Sequence, residues 1–159
     1  MELISKKDLL IVTHLRKNAR ETLTMISKKT RIPISTIYDR LRMYQGNLIK
    51  RYVSLIDFNL IGFNTRAHVM IKLDKDSRDS FKDYVIKHQN VNSVFKINNG
   101  YDFLIEGIFR HIKDLEDFLE ILETKFKILK NDVYYIVEDL KQEAFMADPI
   151  TFGLVGTGS

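Results

Sequence analysis

Apolar positions along this chain follow two different spacings, and the switch between them divides it. Up to about residue 48 they recur every three or four residues, as on one side of a helix; from Arg66 to Leu73 they alternate, as in a half-buried strand. In the first part, Lys6 to about Asn18 predicts a helix. Leu9, Leu10, Val12, Thr13 and Leu15 make a broad apolar side, and Ser5 caps it with Asp8 three residues on. Thr22 to Lys29 predicts a second helix, with Thr22 as N-cap and Leu23, Ile26 and Met25 inward. A short turn, Thr30 to Ile32, leads to a third helix. There Ile37, Leu41 and Tyr44 fall at i, i+4 and i+7, and Leu48 extends the row. Pro33 suits the helix start, and Gly46-Asn47 tolerates the positive φ of a helix stop. The stretch from Leu48 to Ile56 then predicts a strand.

Beyond a short connector, Ile56 to Phe63, Ala67, Val69, Ile71 and Leu73 alternate with His68, Met70 and Lys72. Ser77 to His88 predicts a helix facing inward through Phe81, Tyr84, Val85 and His88. Val91 to Asn98 and Tyr101 to Phe109 predict strands joined at Asn99-Gly100, the dipeptide of a tight hairpin. Ile112 to Phe126 is the most periodic helix, through Leu115, Phe118, Leu119, Leu122 and Phe126. Asp132 to Asp139 predicts the last strand. The order β-α-β-β-α-β is the ferredoxin-like arrangement. The fold class expected is therefore α+β: a winged helix-turn-helix at residues 1–53, a linker at 54–66, a ferredoxin-like domain at 67–146 and a flexible tail at 147–159. A sheet with both helices on one side leaves Met70, Leu104, Ile108, Tyr134 and Ile136, or the alternating set, on a bare face. A second copy of the chain is its simplest cover.

Charge sharpens this division. Residues 1–53 hold 12 Lys/Arg against 4 Asp/Glu, a net +8, whereas residues 54–159 sum to −4. The third helix shows its polar side, Ser35, Tyr38, Asp39, Arg42 and Gln45, within that basic part. Together these features predict a DNA recognition helix. Ser35 and Thr36, in its first turn, suit a phosphate oxygen; Tyr38, Asp39, Arg42 and Gln45 point where base edges would lie, with Arg42 able to grip a guanine. Thr22, Lys28, Lys29, Arg31 and Lys50 suit phosphates, and Arg40, on the flank, suits a backbone contact or an intramolecular pair. No stretch of 18 apolar residues and no signal-peptide pattern occurs, so a cytoplasmic protein without a membrane partner is expected. The absence of cysteine excludes disulfides, thiolate metal sites and a cysteine nucleophile. No cofactor is expected.

This plan resembles the Lrp/AsnC, or feast/famine, family of prokaryotic transcription regulators over roughly residues 5–146. The resemblance is carried by Asp8-Leu-Leu, Asn18-Ala-Arg20, Ser35-Thr36 with Arg40, Leu48-Ile-Lys50, Asp57 with Leu60 and Gly62-Phe63, and Gly100-Tyr-Asp102. It implies a DNA-binding regulator whose second domain dimerises through its sheet, with dimers joining into tetramers or octamers. It also implies an amino-acid effector near Asn99, Gly100, Tyr101 and Asp102, with Asp102 placed to receive an α-amino group. Two departures stand out: Pro33-Ile34 where the family usually has Ser-Pro, which removes the hydroxyl cap or moves it to Ser35, and Asn47 for a usual Gly. Siroheme decarboxylases share the two-domain plan and form an alternative. However, His68, His88 and His111, with Arg66, Arg78 and Arg110, are too scattered for a catalytic cluster, so no enzyme is expected. An effector or assembly module without DNA binding is a third reading, opposed by the +8 charge.

Overall fold

A computed structural model describes residues 4–151, 153 and 154. The chain divides into two compact units, one spanning Ile56–Asp139 and the other joining the stretch up to Leu55 with the described residues from Leu140 onward.

The first unit, the head, holds α1 (Lys6–Lys17), α2 (Leu23–Thr30) and α3 (Ile34–Tyr44). The expected caps form: Ser5 and Asp8 make a reciprocal capping box, and the Thr22 hydroxyl accepts the Met25 N–H. Ile11, Ile26, Ile32 and Ile37 form the core, with Leu15, Leu23 and Leu41 packed around them. Several details differ from expectation. Ile11 is the fully buried apolar residue of α1, Met25 faces outward, and Leu48 leaves the α3 row and is exposed. No side chain caps α3, so the hydroxyl cap is lost rather than moved to Ser35.

The strand expected over 48–56 is absent. Ile49 makes one isolated bridge to Gln45, and Tyr52, Val53, Leu55 and Ile56 are exposed. A strand needs a ladder partner, and none pairs with this segment among the described residues. The wing is therefore an irregular segment. The boundary drawn at residue 146 also moves, since the second unit ends at Asp139. Residues 140–146, expected to close the ferredoxin-like domain, and the described part of the expected tail group with the head. Arg16 donates to Glu143 and to the Glu143 and Phe145 carbonyls, and Leu154 is buried. Of that expected tail, residues 152 and 155–159 lie outside the described residues.

The second unit starts with a 3-10 turn, Phe58–Ile61, capped by Asp57 and closed by Gly62. It continues as β1 (Thr65–Leu73), α4 (Arg78–Ile86), β2 (Val91–Lys96), β3 (Phe103–Phe109), α5 (Ile112–Lys125) and β4 (Ile128–Tyr135). The sheet is antiparallel in the order β2-β3-β1-β4, the ferredoxin-like arrangement expected. Thr65, Ala67, Val69, Ile71 and Leu73 are all buried, and every residue between them is intermediate. The apolar members of that buried set pack with Phe103, Ile105 and Phe109 against Phe81 and Val85 of α4 and Leu115, Phe118 and Leu122 of α5. Gly107 has a packing reason, since a Cβ there would come within 2.6 Å of the Phe109 ring.

β4 begins four residues earlier than expected. Three residues after the end of α5 the chain already pairs Ile128 with Leu73, and its last backbone bond to β1 runs from Ile136 to Arg66. Past that point β1 has ended, so Val137 has no strand to join and is 96% exposed. Asn99 and Gly100 take φ of 59° and 87°, both in the left-handed region that the tight hairpin requires.

Phe81 is fully buried and touches the Phe103 and Phe126 rings, at centroid distances of 5.5 and 5.2 Å. Phe81→Ala should destabilise the second unit by about 3–5 kcal/mol in urea unfolding, with the aromatic near-UV signal as readout. A loss under about 1 kcal/mol would mean that this helix does not carry the core.

A candidate DNA-binding helix and a hairpin rim

The buried and exposed sides of α3 separate as its sequence demands. Ile37 and Tyr44 are buried and Leu41 is partly so, while Ser35, Tyr38, Asp39, Arg42 and Gln45 are exposed. None of these five side chains makes a hydrogen bond or ion pair among the described residues, so α3 presents a free donor, acceptor and aromatic surface. Thr36 is half-buried in the first turn. Pro33 leaves the first amide groups of α3 without a side-chain cap, which suits them to an outside acceptor.

One buried carboxylate, Asp8, holds this helix in place, and a half-buried one, Glu21, ties α1 to α2. Asp8 is 3% exposed. It accepts from the Ser5 amide and pairs with Arg40 at 3.4 Å, and the Tyr44 hydroxyl also bonds to it. It therefore ties the start of α1 to both the flank and the buried side of α3. Burial pushes the Asp8 carboxyl up, but the hydrogen bonds from Ser5 and Tyr44 and the Arg40 charge outweigh it and leave the carboxyl below its ordinary value. Arg40 thus takes the intramolecular pair that its flank position suggested. Glu21 joins Lys29 of α2 to His14 of α1. The Lys29 hydrogen bond, opposed by burial and aided by His14, holds its carboxyl low. Lys29 is consequently part of an internal pair, whereas Lys28, Arg31 and Lys50 are exposed without a partner among the described residues. Arg31 ends α2 in the left-handed conformation, φ 58°, which turns the chain into α3. Thr22 is occupied as a cap and remains exposed.

Sequence reasoning singled out Lys50 and Arg51 as phosphate contacts after α3 but missed Lys17 and Arg20, which join them in a second basic surface. Lys17, Arg20, Lys50 and Arg51 line a groove of about 640 Å³ between the end of α1 and the segment after α3, floored by Leu15, Ile49 and Leu55. The local sequence shows the charges, but only the path of residues 48–55 back past α1 brings them together.

At the hairpin, Asp102 accepts the Leu73 N–H at 2.9 Å, and its other oxygen lies 3.1 Å from Arg78 and 3.5 Å from Lys72. Asp102 thus anchors the hairpin to the end of β1 and to α4. Tyr101 is held by Asp132 and Lys130, whose ammonium also lies 4.7 Å from its ring centre. Asn99 and Gly100 stand exposed at the tip. The histidines remain apart: His68 lies on the open sheet face, His88 packs on Phe118, and His111 starts α5.

Stability of the head should follow these carboxylates. Both pKa values are depressed, so their contribution is present above the ordinary values of 3.8 and 4.5 and is lost as pH falls through and below them. Thermal unfolding of the head should therefore be nearly flat from pH 7 to about 5.5 and drop steeply below about 4.5. Glu21→Gln should flatten part of that drop. Arg40→Ala should cost about 1 kcal/mol, since its guanidinium is partly exposed, and Arg42→Ala should cost under about 0.5 kcal/mol. Equal losses for the two arginines would contradict the assignment.

Comparison with known proteins agrees with this architecture. Residues 66–144 match the Lrp/AsnC ligand binding domain. An HTH-type transcriptional regulator of Pyrococcus horikoshii, itself uncharacterized, is 31% identical over 127 residues, covering 77% of this chain and 82% of its own. Among solved structures, a Neisseria meningitidis transcriptional regulator in complex with L-Met superposes with a TM-score of 0.80 at 20% identity, covering 87% of this chain and 92% of that one. Escherichia coli AsnC gives 0.78 at 19%, covering 88% and 96%. The chain belongs to the Lrp/AsnC family of transcription regulators.

Proposed function

We propose that this regulator binds duplex DNA as a homodimer, with α3 of each copy in the major groove. The observation that carries the reading is the free polar side of α3, Ser35, Tyr38, Asp39, Arg42 and Gln45, within a part of the chain bearing +8. In this reading Arg42 grips a base edge bidentately, with Tyr38, Asp39 and Gln45 beside it. Ser35, Thr36 and the uncapped amides of α3 take one phosphate, and Thr22, Lys28, Arg31 and Lys50 take others. Lys29 and Arg40, being internally paired, act by holding the helices, with whatever charge they share outward adding to the field. Two such helices about 34–36 Å apart would meet successive turns of one face of the duplex.

The open face of the sheet is the proposed contact between copies, and larger assemblies would join such dimers. The L-Met held by the Neisseria relative supports an amino acid as effector class. Its proposed place is the hairpin rim of Asn99, Gly100 and Tyr101, with Asp102 as the anchor beneath. The chain is proposed to work in the cytoplasm, where its DNA target lies. No helix among the described residues is long and apolar enough to cross a membrane.

The test is selection of bound genomic fragments, followed by titration of the enriched duplex. Arg42→Ala should weaken binding by about 1–3 kcal/mol and relax the preference at one base position. Lys28→Ala should weaken all sequences alike and lower the salt slope by about 1. Selection that returns no enriched sequence, or an Arg42→Ala protein with unchanged preference, would refute the recognition-helix assignment.

A further inference from the structure

A carboxylate already lies in the basic groove of the head. Arg16, Lys17, Arg20, Lys50 and Arg51 line that groove, and Glu143 is the one acidic side chain among its described lining residues. Glu143 comes from 127 positions along the chain. Arg16 Nη1 donates to its carboxylate at 2.9 Å, Nη2 to its carbonyl at 3.1 Å and Nε to the Phe145 carbonyl at 3.1 Å. All three guanidinium nitrogens are thus turned to the segment that follows residue 139, which forms a strap on α1. Asp148 brings a second negative charge. The Thr151 hydroxyl and the Ile150 amide hold its carboxyl low, and the Lys17 charge adds to this. Leu154, further along the strap, is buried. Glu143 and Met146 take φ of 47° and 60°, unfavourable for residues with a side chain, so the strap relies on its contacts to keep this shape.

This hold is of a kind that another anion can replace. The Arg16 and Glu143 side chains are 36% and 56% exposed, and a pair so exposed is weak in water and screened by salt. A guanidinium fork receives a phosphate with the same geometry as a carboxylate, and a duplex presents many phosphates at once. Lys50 belongs both to the groove and to the surface proposed to touch DNA, so the two are continuous. We propose that the strap is a self-bound competitor of DNA: Glu143 occupies Arg16 in the free protein, and a duplex phosphate displaces it, releasing residues 140–154 from α1. The inference rests on the reading that the head binds DNA, and it adds an internal brake on that binding. The brake acts on all sequences alike, because the strap contends for phosphate and not for base edges.

Two readouts test it. With a random-sequence duplex at low salt, Glu143→Gln should bind about three- to fivefold tighter than the wild type, and its salt slope should steepen by about 1, for the phosphate that Arg16 now takes. In an Arg16→Gln background the same change should bring no gain. Loss of affinity in Glu143→Gln, as a merely structural strap would give, or a gain that persists without Arg16, would overturn the competition. The second readout needs no DNA. The chain has no cysteine, so the buried thiol of a Leu154→Cys chain can be followed by maleimide labelling. Adding Glu143→Gln should speed that labelling several-fold, and adding duplex to Leu154→Cys alone should do the same. Equal rates with and without Glu143→Gln would overturn the strap itself. Binding of no duplex by any of these chains would instead overturn the DNA reading beneath it.

Discussion

Two helices can cover one side of a four-stranded sheet, and that limit governs the second unit. In β1 it sorts residues strictly by parity: Ala67, Val69, Ile71 and Leu73 face α4 and α5, and Arg66, His68, Met70 and Lys72 face away. β3 repeats the division with Phe103, Ile105 and Phe109 against Leu104, Glu106 and Ile108. Because side chains alternate with a period of two, no register of these strands could hide both sets. The exposed set includes Phe95 and Tyr134 together with a walled-in carboxylate. A partner surface is thus a consequence of the same alternation that builds the core.

The head obeys a different economy. Its apolar core is small, four buried isoleucines with three partly buried leucines around them. Buried ion pairs and caps therefore have a larger share in orienting the helices. Asp8 connects the first turn of α1 to Arg40 and Tyr44, one turn apart in the second half of α3, and Glu21 connects α2 to α1. Each uses one cation that would otherwise face outward, yet leaves Arg42, Lys28 and Arg31 free. The helix can then offer its polar side without depending on those residues for its own position.

Much of this was legible in the sequence because it depends on local spacing. The helices, the β1 alternation, the Asn99-Gly100 hairpin and the two-sided character of α3 all follow from residues near each other in the chain. What failed was non-local. Leu48 to Ile56 has the composition of a strand, but strand formation also requires a partner that sequence does not supply. β4 was misplaced because its ends are set by those of β1, Leu73 and Thr65, and not by its own alternation, which continues to Val137. The pairings of Glu21 with Lys29, Glu106 with Arg66 and Arg16 with Glu143 span 8, 40 and 127 positions. Those pairings decide which charges are free, so the list of candidate phosphate ligands changed more than the list of base-reading residues did.

Sedimentation of the protein with a selected duplex, at low and at raised salt, tests the central claim most directly. The account predicts two chains, or an even multiple, per duplex at low salt, with the complex dissociating steeply as salt rises. A complex holding a single chain, or no complex with any duplex in low-salt buffer, would contradict it.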